Sequence, residues 1–124
     1  MVGPGSLWVV AAKRLLPTLS TPAHGARPSE AIIFANKTSN ARLAALDLLI
    51  EAWHGDDSSA FLVTTSAHLA DVALKAIPEY WHHVGAVRVG FSKSVVSSNR
   101  SGIILAKDKA ETMAMMNDYA PEPL

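Results

Sequence analysis

Glu51 and His54 are the two residues of this 124-residue chain whose types and spacing make the most specific chemical offer. Three positions apart on a helix they stand over the same turn, where a carboxylate oxygen and an imidazole nitrogen can converge on one cation. The chain has no cysteine, so a metal bound here must take imidazole, carboxylate or amide donors, and disulfides are excluded. A solvated helix edge explains the same pair without any ligand, and is the commoner arrangement.

The segment that would position the pair, Asn40 to Gly55, favours a helix almost throughout. Its Ala, Leu, Glu and Arg residues have high helix propensity, Asn40 suits an N-cap, and Gly55 stands where a left-handed residue would close the helix. At about 100° per residue, Asp47, Glu51 and His54 fall on one stripe and the remaining circumference is apolar apart from Arg42. Such a helix is expected to be buried, with that stripe as its only view of solvent or as the wall of a site.

Around it the chain alternates strands and helices. Leu7 to Leu16 reads as a helix capped by Ser6 and stopped before Pro17, fed by the turn Gly3-Pro4-Gly5. Such a start is suited to phosphate, and equally to an ordinary cap. Residues 17–28 are a Pro-, Ser- and Gly-rich connection. Ala31-Ile32-Ile33-Phe34-Ala35 suits a strand buried on both faces, and 60–65 is a second. Ser66 caps a helix from Ala67 to Ile77, which Pro78 should end. Val87, Val89 and Phe91 alternate with polar or small residues, which is strand spacing. Ile103 to Ala106 is a further buried strand, and Asp108 with Glu111 forms a capping box for a helix to Asp118. Met113, Met115 and Met116 read as core residues. His82-His83, His24 and His68 read as surface or packing residues.

Short links between strands and helices imply a parallel sheet with right-handed crossovers. The expected fold is therefore α/β, a three-layer fragment with a short parallel sheet flanked by helices. Three strands with about four helices scarcely cover such a sheet, which points to a piece of a larger α/β protein or an obligate partner in an assembly. Eleven basic residues balance eleven acidic ones, so nothing favours nucleic acid or an acidic membrane as partner. No apolar run reaches the roughly 18 residues of a membrane span, and no signal peptide is legible. A cytoplasmic location is the expectation.

Several short motifs then fall in a meaningful order: Gly3-Pro4-Gly5 with Ala12-Lys13-Arg14, Pro28-Ser29-Glu30, Leu46-Asp47-Leu48-Leu49 with Ala52-x-His54-Gly55, and Asn117-x-Tyr119-Ala120-Pro121-Glu122. Together they resemble the middle of the histidinol dehydrogenase family over nearly the whole chain. The resemblance implies an oxidoreductase of histidine biosynthesis that oxidises an amino alcohol to an amino acid in two NAD-dependent steps, with a bound zinc. It implies a Rossmann-like fold and a homodimer. Residues 1–28 would end the nucleotide-binding domain, and 29–124 would form part of the catalytic α/β domain. His54 matches a zinc ligand, and Glu51 stands where the usual ligand is glutamine. Ser29 matches a serine that binds substrate. Glu122 matches the glutamate that activates water, and Ser6 takes the place of an asparagine that helps hold NAD.

The departures are as informative. Pro123 occupies the place of the family's base histidine and has no titratable group. Arg27 replaces a glycine of the turn before Ser29, and Trp53 replaces a glutamate. The family's other two zinc ligands, an aspartate and a histidine, have no counterpart in the chain, and two protein ligands are too few for a zinc site. The expectation is a truncated family member that is inactive alone, or a non-catalytic α/β scaffold of the same descent.

Overall fold

The computed structural model describes residues 7–15 and 29–121. The expectations for Gly3-Pro4-Gly5, Ser6, residues 17–28, Glu122 and Pro123 lie outside the described residues. Within them run α1 (Leu7–Leu15), β1 (Glu30–Ala35), α2 (Ala41–Ala52), β2 (Ser59–Thr64), α3 (Ala67–Trp81), α4 (Ala86–Val96), β3 (Ser101–Leu105) and α5 (Lys109–Tyr119). The strands form one parallel sheet in the order β1-β2-β3. Glu30 pairs with Ser59 and Ala60 with Ser101, so neighbouring strands start level. This is the α/β, parallel-sheet architecture expected from the alternation of elements.

When consecutive strands are neighbours and every crossover is right-handed, the crossing helices share one face of the sheet. Accordingly α2 packs on β1, β2 and α3. The core lies beneath them, where Ile33, Ala35, Ala60, Leu62 and Ile103 meet Leu48, Leu49, Leu69 and Ile77. Leu48, Leu49 and Leu62 have no exposed surface, and removing each from water contributes about 1.5–3 kcal/mol. By strand alternation Ile32, Phe34, Phe61 and Ile104 turn to the other face. There α5 lies over part of the sheet, leaving an open trough of about 550 Å³ lined by Phe61, Ile104, Met115 and Tyr119 and rimmed by Glu111 and Asp118.

Several expectations need correction. Strand β1 is not buried on both faces, because Phe34 is 42% exposed at the sheet's edge strand. Nor is α2 wholly buried: Leu43 is 56% and Ile50 40% exposed. Its apolar circumference exceeds what the sheet and α3 cover. Helix α3 runs through Pro78 to Trp81, although the proline removes one helical hydrogen bond at a cost of about 3 kcal/mol. Anchors beyond the proline offset that loss. Tyr80 Oη donates to Arg42 O at 3.0 Å, and Trp81 Nε1 donates to Ser92 Oγ at 2.9 Å.

The alternation at Val87, Val89 and Phe91 belongs to α4, not to a strand. Ser92 and Val95 are its buried residues and Val96 packs on the core, which is helical spacing. Val87 points outward. Tertiary packing here outweighs the modest helix propensity of four valines. At α5 the capping box forms as expected, with Glu111 N donating to Asp108 Oδ1 at 2.9 Å and Lys107 N to Glu111 Oε2 at 2.5 Å. Its methionines are not core residues, for Met113 is exposed and Met115 lines the trough.

Candidate active site

Helix α2 begins after the end of β1 and delivers the chain to the start of β2, so its last turn returns to the end of the sheet where the strands begin. Asn40 starts it as expected, its side chain accepting from the backbone N–H groups of Arg42 and Leu43. The other end differs from expectation. Trp53, in right-handed geometry, is the C-cap and Gly55 is not. His54 therefore stands just beyond the helix rather than on it.

The local geometry of His54 is nevertheless definite. Its Nδ1 lies 3.2 Å from Glu51 O. A carbonyl only accepts, so Nδ1 is the donor in this contact, and in the neutral ring the lone pair is then on Nε2. The Glu51 carboxylate is 3.6 Å from that same Nδ1, and the two side chains are 19% and 54% exposed respectively. Imidazole held this way offers Nε2 to a cation, with a backbone carbonyl behind it as orienting acceptor. The Glu51 carboxylate lies beside Nδ1, the other ring nitrogen, so as placed it does not face a cation on Nε2.

Among the described residues, no three His, Cys, Asp or Glu side chains gather as a metal-holding group. Glu51 and His54 are donors of types that zinc accepts, but as placed they do not converge on one point, and two donors are fewer than a zinc site takes.

Ser29 lies at the same end of the sheet. It directly precedes β1, and its carbonyl accepts from Ser59 N at 2.8 Å. From the opposite face, the Tyr119 hydroxyl at the end of α5 hydrogen-bonds Ser59 Oγ, and the Tyr119 ring meets Phe61 edge-on at 5.5 Å. Three sequence-predicted segments are therefore brought to one end of the sheet: Ser29, the turn carrying Glu51 and His54, and the residues leading to Glu122. Glu122 itself, with Ser6, Arg27 and Pro123, lies outside the described residues.

Sequence reasoning missed the residues that hold this end together. Arg100 Nη2 donates to Asp56 O at 2.8 Å and its Nη1 to Asp57 O at 3.4 Å, which fixes the turn after His54. Ser59 Oγ donates to Arg100 O at 2.8 Å. These contacts join positions remote in the chain, and no local pattern announces them. Trp53 Nε1, Ser58 Oγ and Ser101 Oγ are buried at this end without a hydrogen-bond partner. Farther away, Arg42 and Glu79 pair at 2.6 Å between α2 and α3. The hydrogen bond, then the charge, of Arg42 holds the Glu79 carboxyl below its ordinary range.

The family model of histidinol dehydrogenase matches residues 1–124. The chain belongs to the histidinol dehydrogenase family. It is 54% identical to a histidinol dehydrogenase homolog of Colwellia psychrerythraea and 44% identical to the histidinol dehydrogenase of Synechocystis sp.; each match covers 100% of this chain and 28% of the relative. The crystal structure of histidinol dehydrogenase from Elizabethkingia anophelis superposes with a TM-score of 0.80 at 30% identity, over 97% of this chain and 27% of that one. The chain thus spans little more than a quarter of the length of the curated family members it matches. Relatives named as homologs are 51–54% identical to it, and those named histidinol dehydrogenase 32–44%.

Proposed function

We propose that this chain supplies one part of the active site of a histidinol dehydrogenase-like oxidoreductase, and that as 124 residues alone it does not turn over. In this reading Glu51 and His54 contribute two zinc donors, Ser29 binds the amino alcohol, Glu122 acts as general base towards water, and Ser6 contacts NAD. Residues 1–28 end a nucleotide-binding domain and 29–124 begin a catalytic one. The observation that supports it is that the Ser29 segment, the His54 turn and the end of α5 all lie at the end of the sheet where the strands begin. Zinc, when bound, would polarise the alcohol oxygen. The chain's own residues have humbler tasks: His54 presents Nε2, Ser29 orients the substrate, and Glu122 holds a proton taken from water. The functional enzyme would be a cytoplasmic homodimer acting on a small amino alcohol.

A second reading is favoured by Pro123, which cannot carry a proton, and by the two-donor metal set. On that reading the chain is a scaffold that retains the family fold for association. Purified protein incubated with zinc, NAD and histidinol is expected to give no reduced nicotinamide absorbance above a metal-free blank. Turnover would overturn the statement that the chain is inactive alone. Zinc titration separates the two readings: binding weakened at least tenfold by His54→Ala supports the active-site assignment, and equal binding by both proteins removes it.

A further inference from the structure

Helix α5 is loosely attached for an element that leads into a proposed catalytic residue. Thr112, near its start, is its one buried residue. At its other end the attachment is Tyr119, through an aromatic contact and one hydrogen bond.

We infer that Tyr119 is a positioning residue, whose hydroxyl clamps the end of α5, the helix that leads towards Glu122, through Ser59 onto the strand pair that begins at Ser29. The proton inventory fixes the direction of the clamp. Ser59 has a single hydroxyl proton, and it is donated to Arg100 O at 2.8 Å. Tyr119 must therefore donate to Ser59 Oγ. The backbone N–H of the same Ser59 donates to Ser29 O at 2.8 Å. One residue thus ties together β1, β3 and the end of α5.

The backbone beyond Tyr119 supports the same conclusion. Ala120 is left-handed, with φ 45° and ψ 60°, and is the one non-glycine residue with positive φ among those described. An alanine keeps that conformation only where its neighbours impose it. Here the clamp lies on one side and Pro121, with its fixed φ, on the other. The direction in which the chain leaves towards Glu122 is therefore set at Tyr119 and Ala120.

The catalytic meaning of the clamp rests on the active-site reading above, but its existence does not, and the test separates them. Amide hydrogen exchange is measured by NMR on the 124-residue chain, on Tyr119→Phe, which keeps the ring against Phe61, and on Ser59→Ala. Loss of one hydrogen bond is expected to accelerate exchange at Ala120, whose N–H donates to Met116 O, about five- to tenfold in both variants, with Leu48 and Leu62 unchanged. Unchanged exchange at Ala120, or equal acceleration in the core, overturns the clamp. A second readout is titration with histidinol in the presence of zinc. Ser59 also holds the carbonyl of Ser29, the proposed substrate-binding residue, so the Tyr119→Phe protein should bind histidinol several-fold more weakly while its affinity for zinc alone is unaltered. Histidinol binding that Tyr119→Phe leaves unaltered denies the clamp its positioning role. If histidinol binds neither protein, the assignment of Ser29 in this chain fails and the exchange data alone decide the clamp.

Discussion

Trp53 closes α2 with a half-buried ring whose N–H has no partner. Its role is therefore packing, and the indole nitrogen adds nothing to stability. Trp53→Phe is expected to cost no more than about 1.5 kcal/mol, and Trp53→Ala about 3 kcal/mol or more. Denaturant unfolding of the two variants checks this, and a loss for Trp53→Phe as large as that for Trp53→Ala would show that the N–H is paired in solution. The neighbouring His54 teaches a different lesson. Its type and its distance from Glu51 were legible in the sequence, whereas the orientation of its ring was not. That orientation comes from the Glu51 carbonyl, which at the helix end meets both the backbone N–H and the ring of His54, and the helix ended two residues before the glycine that should have capped it. Tyr119 and Ser59 were illegible as a pair for another reason: their contact spans the sheet, and nothing local encodes it.

At the scale of elements, capping chemistry was read correctly wherever the cap was a side chain: Asn40, Ser66 and Asp108 all accept from the first-turn amides of their helices. Breakers and periodicity were less trustworthy. Pro78 was read as a stop, yet α3 continues because Glu79, Tyr80 and Trp81 each find a partner on α2 or α4. The α4 stretch imitates a strand through three alternating apolar residues, but its buried positions repeat at helical spacing. A side chain chosen for its partner on another element carries no local signal.

The Arg42–Glu79 pair that helps hold α3 past its proline gives a pH prediction. Glu79 titrates below its ordinary value of 4.5 in the folded protein. Its contribution is thus fully present above the unfolded value and is lost as pH falls through the lowered folded value. The thermal midpoints of wild type and Glu79→Gln should differ slightly at pH 7 and converge as pH falls through the lowered folded value of Glu79. Both partners are more than half exposed, so the difference is small. A gap that widens on acidification would contradict the assignment.

At the scale of the whole molecule, the alternation of elements was enough to give the parallel sheet, since short links leave few topologies open, while the strand order came only with the structure. The extent of coverage was not. Phe34, Leu43, Ile50 and Leu105 are between 40% and 56% exposed, on the open sheet face, the outer side of α2 and the end of β3. Sequence shows that such residues are apolar but not which of their faces has a neighbour. The native 124-residue chain is therefore expected to enhance the fluorescence of an apolar dye such as ANS while still melting cooperatively. Absence of enhancement would mean that these surfaces are covered in solution, and enhancement with a non-cooperative melt would indicate a loosened core instead.

The order β1-β2-β3 also bears on how the sheet is made. Each strand pairs with the one synthesised immediately before it, and the helix between them is complete before the next edge is needed. Within residues 29–121 a nascent chain leaving the ribosome can add the three strands in the order of translation. Tyr119 follows all of them, so its hydrogen bond to Ser59 can form only after the strands it rests on have emerged.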